Sequence, residues 1–173
     1  MSDSEIISGI LTGAGLNLIE KPENSDLLII NTCIVKQPTE NKILDRIKEI
    51  HKKFPKKKLI ISWCLPEAYP NLLNATKRVS LISMHRITEI LKIIRNSFKN
   101  KPIRLLGNTK IEKVCLPKIR KNKTIDIVWI CSGCLGDYSY CGTKLAKGNL
   151  ISYSHEKTIN EIKDAKERGC KEF

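Results

Sequence analysis

The sequence contains no apolar run approaching the roughly 20 residues that cross a bilayer, which excludes a helical membrane span. It opens on Met1-Ser2-Asp3-Ser4-Glu5, polar and acidic, without the basic and apolar regions of a secretory signal. A cytoplasmic protein with no membrane partner is therefore expected. No internal repeat or low-complexity tract is present. Acidic residues are scarce, 18 against 31 Lys and Arg, leaving a net charge of +13. No second C-x-x-C or His pair follows Cys131 and Cys134, which argues against a closed tetrahedral zinc site. What is there is otherwise ordinary. The 173 residues suit one domain, or one domain plus a piece of another. A hydrophobic content of 41% with 28% charged residues argues against a wholly disordered chain. In a reducing compartment, seven cysteines read as thiols or metal ligands rather than as a disulfide framework.

The positive charge is concentrated. Between Lys92 and Lys123 eleven cations face only Glu112, so this segment holds ten of the thirteen net charges. A second cluster surrounds His51-Lys52-Lys53 and Lys56-Lys57-Lys58. Such clustering fits a polyanionic partner, with nucleic acid the first candidate. Lysine-rich solvated surfaces are common, and charge alone does not decide between the two.

Periodicity gives the organisation. Residues 3–14 predict a helix, with Ser2 and Glu5 at capping-box spacing and Ile6, Ile7, Ile10 and Leu11 on one face. Asp26–Asn31 and Lys58–Trp63 are short apolar runs of the buried parallel-strand kind, and Val79–Ile82 is a third. Helices are expected after Pro38, with Ile43, Leu44, Ile47 and Ile50 inward, after Pro66, and from Arg86 to Phe98. This alternation is the pattern of an open α/β sheet. Residues 100–123 read as a basic connector with at most one short strand near Ile103–Leu106. A new strand is expected at Thr124–Ile130, then a loop rich in Gly and Cys. A helix capped by Ser154 follows, with Ile159, Ile162 and Ala165 inward and Gly169 closing it.

Three cysteine groups carry the chemistry. Cys33 follows one buried strand and Cys64 follows the next, so two thiols can converge at the carboxyl edge of a parallel sheet. Each can equally be a buried small hydrophobe. The third group is Cys131-Ser-Gly-Cys134-Leu-Gly-Asp-Tyr138-Ser-Tyr140-Cys141. Thiolates so placed suit zinc or iron–sulfur iron.

These motifs, in this order, resemble those of the radical S-adenosylmethionine methylthiotransferases. The likeness is greatest to the archaeal and eukaryotic branch acting on threonylcarbamoyladenosine at position 37 of tRNA, and it runs over the whole chain. Asp3-Ser4-Glu5 is similar to the end of the first family motif. Asn31-Thr32-Cys33-Ile34-Val35-Lys36 with Pro38-Thr39-Glu40-Asn41 resembles the second. Trp63-Cys64-Leu65-Pro66 resembles the third, where Gly normally precedes the cysteine. Gly133-Cys134-Leu135-Gly136 through Tyr140-Cys141 resembles the radical motif. Ala146-Lys147-Gly148 with Ser152, and Gly169-Cys170-Lys171-Glu172, resemble the segments beyond it.

The resemblance implies a Rossmann-like open parallel-sheet domain over 1–106, lacking its first strand. A basic connector over 107–123 and the first βα unit of a radical TIM-type barrel over 124–173 would follow. It implies two [4Fe-4S] clusters and S-adenosylmethionine. Cys33 and Cys64 would ligate the auxiliary cluster, Cys134 and Cys141 the radical cluster, and Tyr140 would pack on the cofactor's adenine. The partners implied are S-adenosylmethionine and the tRNA anticodon loop at adenosine 37, met by a monomer. The chain departs from the pattern where Tyr138 stands at the middle cysteine of the radical triad. It also lacks the first auxiliary cysteine, the rest of the barrel and a tRNA-binding domain, so truncation at both ends is expected. Cys131, Cys115 and Cys170 read as structural. No catalytic side chain is assigned, and the chain alone is expected to be inactive. The alternatives are a non-catalytic RNA-binding remnant, a metal or redox module on Cys131, Cys134 and Cys141, and the branches acting on isopentenyladenosine or a ribosomal protein.

Overall fold

The computed structural model describes residues 2–33, 37–73, 79–107 and 109–173. Ile34, Val35 and Lys36 of the second motif lie outside them, as does the side chain of Ile43. The chain divides into two compact units. One comprises Met1–Leu18, Lys110–Gly133 and Asn149–Phe173, and the other Ile19–Thr109 and Cys134–Gly148. The expected division at 106 lies close to the boundary between Thr109 and Lys110, whereas 123 lies inside the continuous stretch Lys110–Gly133, and residues 1–18 are grouped with that stretch rather than with 19–106.

The sheet unit is the α/β part. Strands β1 (Leu27–Thr32), β2 (Lys58–Trp63), β3 (Val79–Ser83) and the short β4 (Arg104–Leu105) form a parallel sheet in that order. The apolar runs became strands because burial on both faces rewards continuous Ile, Leu and Val. Ile60 and Ile61 point to opposite faces and are both fully buried, each contributing about 1.5–3 kcal/mol. Helix α2 (Gln37–Lys53) inserts Ile47 among Leu59, Ile61, Val79 and Leu81. Helix α4 (Ile90–Phe98) lies on the other face, where Ser97 meets Ser80 through their hydroxyls at 2.8 Å. The predicted helix over 86–98 is two pieces: a 3-10 segment, Met84–Glu89, breaks at Arg86 before α4 begins. Phe98, which the helical period places on the inward face with Ile87, Ile90, Leu91 and Ile94, is half exposed. Two short helices complete the unit, α3 (Cys64–Ala68) and α5 (Gly142–Lys147), and they pack on each other.

The second unit is built on α1 (Ser2–Gly13), which buries Ile6, Ile7 and Leu11. The capping-box reading of its start gives way to longer-range bonds. Ser2 Oγ accepts from the Trp129 indole at 2.9 Å, and the Glu5 carboxylate accepts from the Lys121 amide at 2.9 Å. The strand expected over 124–130 does not form. Only an isolated parallel bridge, Ile125 to Glu172, pairs that stretch, because its backbone groups bond to scattered partners instead of one strand: the Thr124 carbonyl accepts from the Lys171 and Glu172 amides, the Ile127 carbonyl from Lys118 Nζ and the Ile130 carbonyl from the Tyr153 amide. A short antiparallel pair follows, β5 (Cys131–Ser132) with β6 (Ile151–Ser152). Helix α6 (His155–Glu167) starts as predicted, Ser154 Oγ accepting from the Lys157 amide. Its inward face differs from the expectation: Ile159 is 51% exposed, while Glu161 is buried.

Candidate functional site

The carboxyl edge of the sheet carries the second and third motifs. Register pairs Thr32 with Trp63, so Cys33 and Cys64 follow directly on neighbouring strand ends. Thr32 explains the residue type before Cys33. Its buried hydroxyl donates to the Ser62 carbonyl at 2.7 Å and accepts from the Leu65 amide at 3.1 Å, fixing the turn that carries Cys64. Trp63 makes that turn at φ +91° and ψ −137°, a region that favours glycine. Cys64 itself is only 3% exposed and packs in the hydrophobic core beside Leu65, Met84 and Ala146. The core-hydrophobe reading thus describes its surroundings well.

The loop from Cys134 to Cys141 belongs to the same compact unit. The Cys134 amide donates to the Gly148 carbonyl at 3.1 Å, and its carbonyl accepts from Lys144 Nζ at 3.0 Å. The Cys141 amide donates to the Tyr138 carbonyl at 3.0 Å, and Cys141 precedes α5. His85, which sequence reasoning missed, is buried and pairs through Nε2 with the Ala146 carbonyl at 3.1 Å, holding α5 in place. Its only sequence signal was its position just beyond a buried strand.

Tyr138 and Tyr140 decide what the loop can hold. Their rings stack with centroids 5.7 Å apart and planes 26° from parallel. They are 62% and 84% exposed. A Cβ on Gly136 would sit 3.2 Å from Tyr138 Cε2 and 3.8 Å from Cys134 Sγ, so both the phenol ring and the thiol lie close to Gly136. Among the described residues, no three His, Cys, Asp or Glu side chains are gathered to hold a metal ion. A phenol is a poor ligand for iron–sulfur iron, which is held by cysteine thiolates. The donor set does not fit a [4Fe-4S] cluster on three thiolates.

The basic clusters are partly consumed within the fold. In the α1 unit Lys113 pairs with Asp3 at 2.8 Å beneath the Trp129 ring, and Arg120 pairs with Asp126 at 2.8 Å. Lys118 bridges Asp126 and Glu161. Asp3 and Glu161 lie far away in sequence, so the segmental charge count could not reveal them. In the sheet unit, Lys57 Nζ donates to the carbonyls of Pro22, Glu23 and Ser25, the last two at 2.6 and 2.7 Å. What stays in solvent includes a stripe on α4: Lys92, Arg95 and Lys99 are exposed at helical spacing, followed by Lys101 and Arg104.

Comparison with known proteins agrees with the motifs. Residues 1–83 match the model of the uncharacterized protein family UPF0004. A protein of Methanothermobacter thermautotrophicus named "Probable threonylcarbamoyladenosine tRNA methylthiotransferase" is 37% identical over 99% of this chain. The threonylcarbamoyladenosine tRNA methylthiotransferases of Xenopus laevis and Homo sapiens are 34% and 33% identical over 99% of it. The chain is a relative of the methylthiotransferases. It spans 41% of the length of the Methanothermobacter protein and 32% and 30% of the two vertebrate ones. Among the described residues, no helix is long and apolar enough to cross a membrane.

Proposed function

We propose that this chain belongs to a tRNA methylthiotransferase system that converts N6-threonylcarbamoyladenosine 37 to its 2-methylthio derivative, and that the chain alone binds RNA without completing the transfer. The substrate comes from the names of the relatives. The second half rests on Tyr138, which fills the place of a cluster ligand and turns its ring onto Tyr140. In the wider family reading, S-adenosylmethionine and two [4Fe-4S] clusters would supply the radical that activates the adenine C2–H bond, with Cys33 and Cys64 on the auxiliary cluster. Cytoplasmic location and a monomeric state belong to the same reading.

The task left to this chain's own residues is electrostatic. Lys92, Arg95 and Lys99 stand in a row on one helix face, spaced to neutralise successive phosphates and release their counterions. Nucleoside mass spectrometry after anaerobic incubation with iron, sulfide, S-adenosylmethionine and tRNA tests the claim that the chain alone does not complete the transfer. The expected result is no methylthio product, and a product from this chain alone would overturn it. Titration of tRNA at rising salt tests the claim that it binds RNA. Replacing Lys92, Arg95 and Lys99 with Gln should weaken binding and lower the salt slope by about 0.7–0.9 for each phosphate no longer neutralised. A slope unchanged by the triple substitution would remove α4 from the interface.

A further inference from the structure

Helix α5 has six residues, too few to stand as a helix on its own. Its surroundings keep it folded. Ala146 is fully buried, in the core cluster with Cys64, Leu65 and Met84. The last carbonyls of a helix have no partner within it, and a buried one has no water to turn to. The Ala146 carbonyl is such a group, and the buried His85 places Nε2 3.1 Å from it. A carbonyl only accepts, so Nε2 carries the proton and donates. The imidazole works from a fixed base. The His85 amide donates to Ser83 Oγ at 3.1 Å, and its carbonyl accepts from the Thr109 hydroxyl.

Both cysteines of the following loop hang on α5. The Cys141 carbonyl accepts from the Lys144 and Leu145 amides at 3.0 and 3.2 Å. The Cys134 amide donates to the carbonyl of Gly148, just past the helix, and its carbonyl accepts from Lys144 Nζ. We propose that His85 is a positioning residue for Cys134 and Cys141: it caps the buried end of α5, and α5 sets where both thiols stand. The line of contacts runs from the end of β3, through the imidazole, to α5 and from there to the two cysteines. Position 85 belongs to none of the motifs that carry the family resemblance. The inference needs neither a bound cluster nor the RNA-directed reading above.

Hydrogen exchange on the full chain, followed residue by residue by NMR, tests it. His85→Leu keeps an apolar side chain in the core and removes the donor. The amides of Cys134, Lys144, Leu145 and Gly148 should then exchange about 5- to 150-fold faster, the range expected where a buried acceptor loses its donor. The amides of β2 should keep their protection, because the opening is local. His85→Gln, whose side-chain amide donates from a comparable reach, should restore most of what His85→Leu loses. Alkylation by iodoacetamide, resolved by peptide mass spectrometry, should quicken at Cys134 and Cys141 in His85→Leu and stay constant at Cys115, which belongs to the other unit. Lys144→Met gives a second route that leaves the core alone. It removes the bond to the Cys134 carbonyl and should quicken alkylation at Cys134 more than at Cys141. The proposal is overturned if His85→Leu leaves the α5 amides as protected as before, if it loosens β2 equally, or if Gln fares no better than Leu. It is also overturned, whether or not His85→Leu folds, if Lys144→Met leaves Cys134 as slow to react as in the unmodified chain.

Discussion

Trp63 holds its indole on a backbone that glycine would adopt without strain. At φ +91° an L side chain costs on the order of 1–3 kcal/mol, and that cost sits immediately before Cys64. Comparing Trp63→Gly with Trp63→Ala isolates it, because both remove the indole and only one keeps a Cβ. The glycine variant should be the more stable by about 1 kcal/mol in denaturant titration, and equal stabilities would show the turn to be unstrained. The opposite logic applies at Gly133, where φ is +94° and a Cβ would fall 2.0 Å from the Asn149 carbonyl oxygen. Gly133→Ala should lower the melting temperature sharply, through clash and strain together. At Tyr138 the prediction is chemical. Tyr138→Cys completes a C-x-x-x-C-x-x-C triad, and anaerobic reconstitution should then load more iron and sulfide per chain than the unmodified protein accepts. Equal loading would refute the donor-set argument. At this scale the position of Cys33 and Cys64 just after neighbouring buried strands was legible, and the register places them there. The sequence was silent on Thr32 and His85, whose roles depend on hydrogen bonds to residues 30 and 61 positions away.

At the scale of elements, helix α6 shows why periodicity misled. A hydrophobic pattern places Ile159 inward, yet the buried position is taken by Glu161, because Lys118 waits there with Asp126 and Arg120 beside it. Buried carboxylates and cations satisfy one another where either alone would cost several kcal/mol. Burial raises the pKa of Asp126, but hydrogen bonds from Arg120 and Lys118 outweigh it and hold the carboxyl below its ordinary value. A lowered folded value means that the contribution to stability is complete above the unfolded aspartate's pKa of about 3.9 and is lost as pH falls through the folded value. Asp126→Asn should therefore destabilise the protein by about 3 kcal/mol at neutral pH. It should also flatten the acid limb of a stability–pH curve. An acid limb identical to that of the unmodified protein would assign the loss elsewhere. The parallel strands were legible because a strand buried on both faces is a local composition. The strand expected over 124–130 was not, because its pairing partner is set by the rest of the fold.

For the whole molecule, net charge proved a poor guide to surface charge. Three cations of the basic segment, Lys113, Lys118 and Arg120, are neutralised by Asp3, Asp126 and Glu161, and Lys57 is spent on its own chain's carbonyls. Exposed cations remain on and after α4, where Lys92 lies 3.5 Å from Glu89, and at Lys52 and Lys56, and these are open to a polyanion. Raising the salt should weaken tRNA binding while leaving the melting temperature nearly unchanged, since the ion pairs that hold the fold are buried and poorly screened. A parallel fall in both would show that the same charges serve stability and binding.

The discontinuity of the α1 unit also bears on how the protein is made. Helix α1 is synthesised well before its cover, since the Trp129 that binds Ser2 is 127 residues further along. At translation rates of about 5–20 residues per second, Ile6, Ile7 and Leu11 wait on the order of ten seconds before that cover exists. An isolated helix of 12 residues is marginal in water, so through that interval α1 has little reason to persist, and its helical form depends on segments made more than a hundred residues later.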